Sequence, residues 1–195
     1  MPRASAADAA LTAQRVLDSA TDLFASRGFA DVSLDDVAQA AAVTRGAVYH
    51  HYRNKAGLFS AVADRLQARV ADAVVAAATE AGERPGAQLR AGSHAFLDAI
   101  TDGPAVRILL IDAPAVIGWQ EWRRLDAENS APHLRDALRE VGVAQDLLDA
   151  TTAQLSAAMN EAALWIAQHE DTAAARRQAH AALDTLLATY LDGRE

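Results

Sequence analysis

The stretch from Thr44 to Lys55 holds the chain's densest set of groups suited to recognising an anion. Arg45, Arg53 and Lys55 supply permanent positive charge, Tyr49, His50 and His51 supply hydrogen-bonding tips, and no Asp or Glu interrupts them. Lys55 is also the only lysine in the chain. A guanidinium at a helix tip matches guanine O6 and N7 with its two-pronged fork, whereas phenol, imidazole and ammonium groups suit phosphate oxygens. Gly46 and Ala47, next to Arg45, are small enough to let a backbone approach base edges, and the Thr44 hydroxyl can touch a phosphate. The pattern fits recognition better than catalysis. A catalytic centre needs a nucleophile, a base and an orienting residue brought together, and neither such a cluster nor a Gly-rich phosphate loop is visible. The absence of cysteine removes disulfides, thiolate zinc sites and cysteine nucleophiles. His50 and His51 point to different faces of a helix and lack acidic or thiol partners at ligand spacing, so no metal site and no cofactor are expected.

The elements that position these residues are legible as helices. Leu17, Ala20, Leu23 and Phe24 recur at three- and four-residue spacing, and Gly28 can supply a left-handed helix stop. A first helix is therefore expected from about Ala9 to Arg27. Ser33 with Asp36 reads as a capping box for a short second helix carrying Leu34, Val37, Ala38 and Ala41 inward. Thr44 caps a third, running to about Tyr52, with Val48 facing the core. Asn54 caps a fourth, whose stripe of Leu58, Phe59, Val62, Leu66, Val70 and Val74 continues to about Ala81. The later segments Ala87 to Thr101, Pro104 to Asp112, Trp119 to Val141, Asp146 to Gln168 and Thr172 to Leu191 read as five more, with an interruption at Asp112 to Pro114 and a bend or break before Pro132. The expected fold is all-α with about nine helices and no strand. A headpiece over 1–56 is continuous through the fourth helix with a body over 57–195.

Charge divides along the same line. The first 70 residues carry eight Lys/Arg against seven Asp/Glu, and the remainder carries ten against nineteen, giving a formal net charge of −8 overall. An acidic body with one basic segment orients itself on a polyanion. The stretch Met1 to Ala10 lacks an apolar core of signal-peptide length, and no apolar run approaches the ~20 residues that spanning a bilayer requires. The expectation is a soluble, cytoplasmic protein without membrane contact.

The two short helices of the headpiece and their flanks resemble the TetR family of bacterial repressors. The resemblance rests on Ala42-Val-Thr44 in the turn, Gly46-Ala-Val-Tyr-His-His-Tyr52 in the third helix and Lys55-Ala-Gly-Leu58 at the start of the fourth. It implies a helix-turn-helix whose second helix enters the major groove of operator DNA. By resemblance, Arg45 and its neighbours read bases while Tyr49, His51 and Lys55 hold phosphates. The candidate DNA-binding set is Ser33, Thr44, Arg45, Gly46, Ala47, Tyr49, His50, His51 and Lys55. Ala42 stands where the family has glycine, at a cost of up to ~1 kcal/mol if the position is left-handed. Asp112 to Arg123 and Asn160 to Ile166 are similar to stretches of the family's ligand domains.

That resemblance implies a small-molecule effector among the middle helices and a homodimer paired through the last two. Candidate effector-binding residues are His94, Phe96, Arg107, Trp119, Trp122, Asn160 and Trp165. Candidate dimer residues are two apolar stripes, Leu155, Met159, Ala162 and Ile166, then Leu183, Leu186, Leu187 and Tyr190; spacing alone marks these only as packing faces. Two recognition helices must also reach successive major grooves ~34 Å apart, which a two-fold dimer does on a palindrome. A helical dimerisation protein without regulated DNA binding and a helical enzyme are the alternatives. The first leaves the acid-free Thr44 to Lys55 segment unexplained, and the second lacks a catalytic cluster.

Overall fold

The computed structural model describes residues 6–191. Residues 1–5, part of the Met1 to Ala10 stretch considered above, and residues 192–195 lie outside the described residues. Among the described residues are ten α-helices and one π-helical segment: α1 (Ala6–Arg27), α2 (Leu34–Ala40), α3 (Arg45–Tyr52), α4 (Lys55–Glu80), α5 (Pro85–Thr101), the π segment (Val106–Asp112), α6 (Ala113–Val116), α7 (Trp119–Glu128), α8 (Ser130–Glu140), α9 (Leu148–Ala167) and α10 (Thr172–Leu191). None is long and apolar enough to cross a membrane.

Local chemistry sets the first four boundaries. Gly28 takes φ 82 after α1, a value that glycine adopts freely. At α2 the Ser33 hydroxyl accepts from the Asp36 N–H, and the Asp36 carboxylate accepts from the Ser33 N–H at 2.8 Å, so the capping box is complete. The Ser33 hydroxyl and N–H, both donating to the ionised carboxylate, hold the Asp36 carboxyl below its usual range. Thr44 and Asn54 cap α3 and α4 in the same way, through the N–H groups of Ala47 and Gly57. Each such cap contributes about 1 kcal/mol.

One boundary in the body differs from expectation, and another that was expected is located. The chain does not break at Asp112 to Pro114. Pro114 has no N–H to offer the Leu110 carbonyl, and the turn before it widens, with the Ala113 N–H donating to the Ile108 carbonyl. The helix then continues through α6 and stops at Gly118, φ 84. The stretch Trp119 to Val141 is two helices. Asn129, at φ −110 and ψ −83, separates them, its side-chain amide donating back to the Leu125 carbonyl at 2.8 Å. Pro132 lies in the first turn of α8, where a missing N–H leaves no intrahelical bond unmade.

One hydrophobic core runs the length of the molecule. In the headpiece Val16, Phe24, Val37, Val48, Leu58 and Phe59 are wholly buried. Phe59 meets Phe24 and Phe29 edge-on, each at 5.2 Å between centroids. The core continues along α4 through Val62, Leu66 and Val70 into Leu97, Ile108, Leu138, Leu148 and Ile166 of the body. Arg65, on α4, ties the helix to α1, donating to Asp18 Oδ1 at 2.6 Å and to the Thr21 hydroxyl at 2.7 Å.

Candidate nucleic-acid interface and cavity

Helix α3 is seated by Val48, fully buried, and by Tyr52, whose hydroxyl donates to the Ala13 carbonyl of α1 at 3.0 Å. The opposite side of α3 is open. Arg45, Gly46, Tyr49 and His50 form one concave exposed surface, on which Tyr49 is 59% accessible. A Cβ placed on Gly46 would meet only Thr44 Oγ1 at 3.8 Å, an ordinary contact. Nothing inside the subunit therefore demands glycine there, and its smallness matters toward the outside. Arg45 Nη1 pairs with Asp35 Oδ2 at 3.2 Å, with both side chains more than 60% accessible. An ion pair so exposed contributes ~1 kcal/mol or less, so a phosphate or a guanine edge can displace it.

The remaining candidates of this set have structural duties. Ser33 donates its hydroxyl proton to Asp36 Oδ2 at 2.6 Å and accepts from the Asp36 N–H, so it serves the cap and has no proton left for a phosphate. Thr44 accepts from the Ala47 N–H at 3.2 Å but keeps its own proton. Ala47 and His51 are half-buried beside the exposed face, and His51 stands near Tyr52. The Lys55 ammonium donates to the Ala30 carbonyl at 3.1 Å and sits 4.3 Å from the Phe29 ring centroid. It is anchored over the α1–α2 connection, with the rest of its three protons uncommitted. Ala42 takes φ 53, so the turn is left-handed at the position where the resemblance expects glycine. A Cβ on Gly57 would strike the Tyr52 carbonyl, which fixes how closely α4 follows α3.

In the body, α4, α5, α8 and α9 line a cavity of about 230 Å³ that opens to solvent. Val74, Leu89, Phe96, Leu134 and Met159 give it apolar walls, and Ser93, Ser130 and Ser156 give it buried hydroxyls. Ser156 donates to Asp126 Oδ2 at 3.4 Å. Burial pushes the Asp126 carboxyl above its ordinary value. The Ser130 hydroxyl is buried and has no hydrogen-bond partner among the described residues.

Of the effector candidates, only Phe96 lines this cavity. His94 is bonded to Asp184 at 2.9 Å and stacked on His180, between α5 and α10. Arg107 reaches the headpiece instead, donating to the Ala25 carbonyl at 3.2 Å and facing Asp112 at 3.7 Å. Trp122 is buried, its indole N–H donating to the Leu109 carbonyl at 2.7 Å, and Trp119 lies on the outer surface at 63% accessibility. Asn160 is half-buried away from the cavity wall, and Trp165 lies tilted against His169 at the surface. Sequence reasoning favoured large aromatics. The serines that line the cavity gave no signal, because a serine within a helix reads the same whether it faces solvent or a void.

The candidate dimer stripes lie mostly on the inward faces of α9 and α10. Leu155, Met159, Ile166, Leu183 and Leu187 lie in the subunit's own core, and Ala162 and Tyr190 pack against it. Only Leu186 faces outward, at 49% accessibility. The outer side of α9 presents Ala153, Ala157 and Trp165, and that of α10 presents Ala181 and Ala182 beside Leu186.

Residues 87–190 match the family model for the tetracycline repressor-like C-terminal domain, and residues 16–62 match that for bacterial regulatory proteins of the tetR family. The chain is 33% identical to the Transposon Tn10 TetC protein of Escherichia coli over 60% of its own length and 58% of that protein's. It is 45% identical to the HTH-type transcriptional regulator SrpR of Pseudomonas putida over 32% of its length and 29% of that protein's. These matches thus span less than two thirds of either curated relative. A crystal structure of a TetR-family transcriptional regulator from Pectobacterium atrosepticum superposes with a TM-score of 0.76 at 31% identity, covering 98% of this chain and 100% of that one. With its exposed α3 joined by a left-handed turn to α2, and with family matches that reach from the headpiece through α10, this chain belongs to the TetR family of bacterial transcriptional regulators.

Proposed function

We propose that the protein is a ligand-responsive repressor that binds a palindromic operator as a homodimer in the cytoplasm. The observation that carries this reading is the open, acid-poor face of α3, where Arg45, Gly46, Tyr49 and His50 are exposed together while Val48 and Tyr52 fix the helix from behind. A helix presented in this way enters the major groove, with its N-terminal residues at base edges. We take the headpiece as 1–56 and the effector and dimer body as 57–195. Helix α4 belongs to both, and its unbroken core stripe supports a lever role: a ligand that favours one body conformation displaces α4 and with it the headpiece. The equilibrium moves only by the ligand's differential affinity for the two states.

Gel-shift titration on a selected palindromic duplex tests the proposal. Arg45→Ala should weaken binding roughly tenfold or more and relax discrimination at one base position. Tyr49→Phe should weaken it on all sequences alike. Unchanged affinity in both variants would remove α3 from the interface and the repressor reading with it.

A further inference from the structure

The body cavity has a polarity of its own. Its apolar walls are interrupted by Ser130 and Ser156, which are 7% and 6% accessible. Behind Ser156 stands Asp126, 5% accessible, whose hydrogen bond is the one from the Ser156 hydroxyl at 3.4 Å. A serine has a single O–H. Ser156 commits that proton to Asp126, and so what it offers the cavity is lone pairs. The Ser130 hydroxyl, buried without a partner among the described residues, is free to accept as well. Among the described residues no lysine or arginine lines the cavity; its charged residues there are Asp136, which Arg139 pairs, and Glu140, with His133 the one titratable base.

We propose that the cavity takes a small amphiphilic cation, an amine carrying one aromatic ring or a short aliphatic chain, whose ammonium donates to the Ser130 and Ser156 oxygens in front of Asp126. This rests on reading the cavity as the effector site. Arg123 is the one arginine whose charge acts on Asp126, and it does not overcome the cost of burying the carboxylate; an ammonium one hydroxyl away offsets part of what remains. Burial lifts the Asp126 carboxyl above its ordinary value against the opposing pull of Arg123. An anionic ligand would face Asp136 and Glu140 with no lysine or arginine among the described lining residues to pair it. The volume of about 230 Å³ exceeds the ~150 Å³ that holds a benzene ring and falls below the ~300 Å³ where drug-sized pockets begin. One ring with a three-carbon arm is therefore the size to use.

The test titrates the full-length protein with three matched probes, 3-phenylpropylamine, 3-phenylpropanol and 3-phenylpropanoate, and reads the melting temperature at each concentration. The amine should bind about tenfold tighter than the alcohol, and the carboxylate should not bind. Asp126→Asn should bring the amine down to the alcohol's affinity and leave the alcohol's own affinity unchanged, and Ser156→Ala should also abolish the amine's advantage over the alcohol. Equal or better binding of the carboxylate, an unaltered amine preference in both variants, or no binding of any probe at millimolar concentration would overturn the proposal. Failure of the repressor reading would appear separately, as absent operator binding by the probe-free protein.

Discussion

Ala42 holds φ 53 in the turn between α2 and α3, without the glycine that would adopt it freely. Relieving the clash of its Cβ should outweigh the added chain entropy of glycine, so Ala42→Gly should stabilise the protein by about 1 kcal/mol. The check is a urea midpoint that rises with an unchanged slope. Asp126 works in the opposite sense. Its carboxyl is raised by burial, so the folded state holds the proton more tightly than the unfolded chain does. The stability this group contributes is full below its unfolded value of 3.8, and is lost as pH rises through the folded value. Asp126→Asn should therefore melt higher than the native protein at neutral pH, with the difference vanishing in acid. Both residues cost stability beside a proposed contact surface: Ala42 next to α3, Asp126 behind the cavity.

Among the elements, the π segment and α1 make the joint between body and headpiece. Arg107 donates to the Ala25 carbonyl in the last turn of α1, where the helix carries its partial negative charge. Gly28 leaves room for it; a Cβ there would stand 2.5 Å from Arg107 Nη2. The segment bearing Arg107 packs on the same α4 that borders the cavity, giving the body a second connection to the headpiece besides α4 itself. Arg107→Ala should leave a ligand's affinity for the cavity unchanged while shrinking the factor by which that ligand alters DNA affinity. Ligand-dependent melting and ligand-dependent gel shifts, run side by side, check the two halves. The headpiece elements were legible in sequence because Ser33, Thr44, Asn54 and Gly28 mark their ends with side-chain caps or a glycine. The π segment was not, since its cause is one missing N–H at Pro114 that reads equally well as a break. The α7–α8 boundary was placed only near Pro132 because Asn129 carries no strong stop signal of its own.

For the molecule as a whole, the faces of α9 and α10 show where periodicity fails. Both helices are rich in alanine and apolar on more than one side, so the spacing of Leu155, Met159 and Ile166 marks a packing face without saying against what. The structure turns that stripe into the subunit core and leaves outside Ala153, Ala157 and Ala181, small residues that allow close helix approach, beside the apolar Leu186. Two outcomes separate the faces. Leu187→Ala, at a site with no accessible surface, should cost about 2–5 kcal/mol of folding stability. Ala157→Glu with Leu186→Glu should leave the fold intact and convert dimer to monomer in sedimentation velocity. Charge acts at the same scale. The excess acid lies beyond residue 70, so the body is repelled by DNA and the headpiece is left to lead.

The salt dependence of binding bears on this most directly: fluorescence anisotropy of the intact protein on a palindromic duplex selected from random sequence, titrated at several salt concentrations. Two headpieces each presenting Arg45, Tyr49 and the Lys55 end of the motif should give two chains per duplex. Affinity should fall linearly in log–log form with salt as phosphate counterions are released. Binding that is absent, indifferent to salt, or saturated by one chain per duplex would contradict a dimeric headpiece reading DNA through α3.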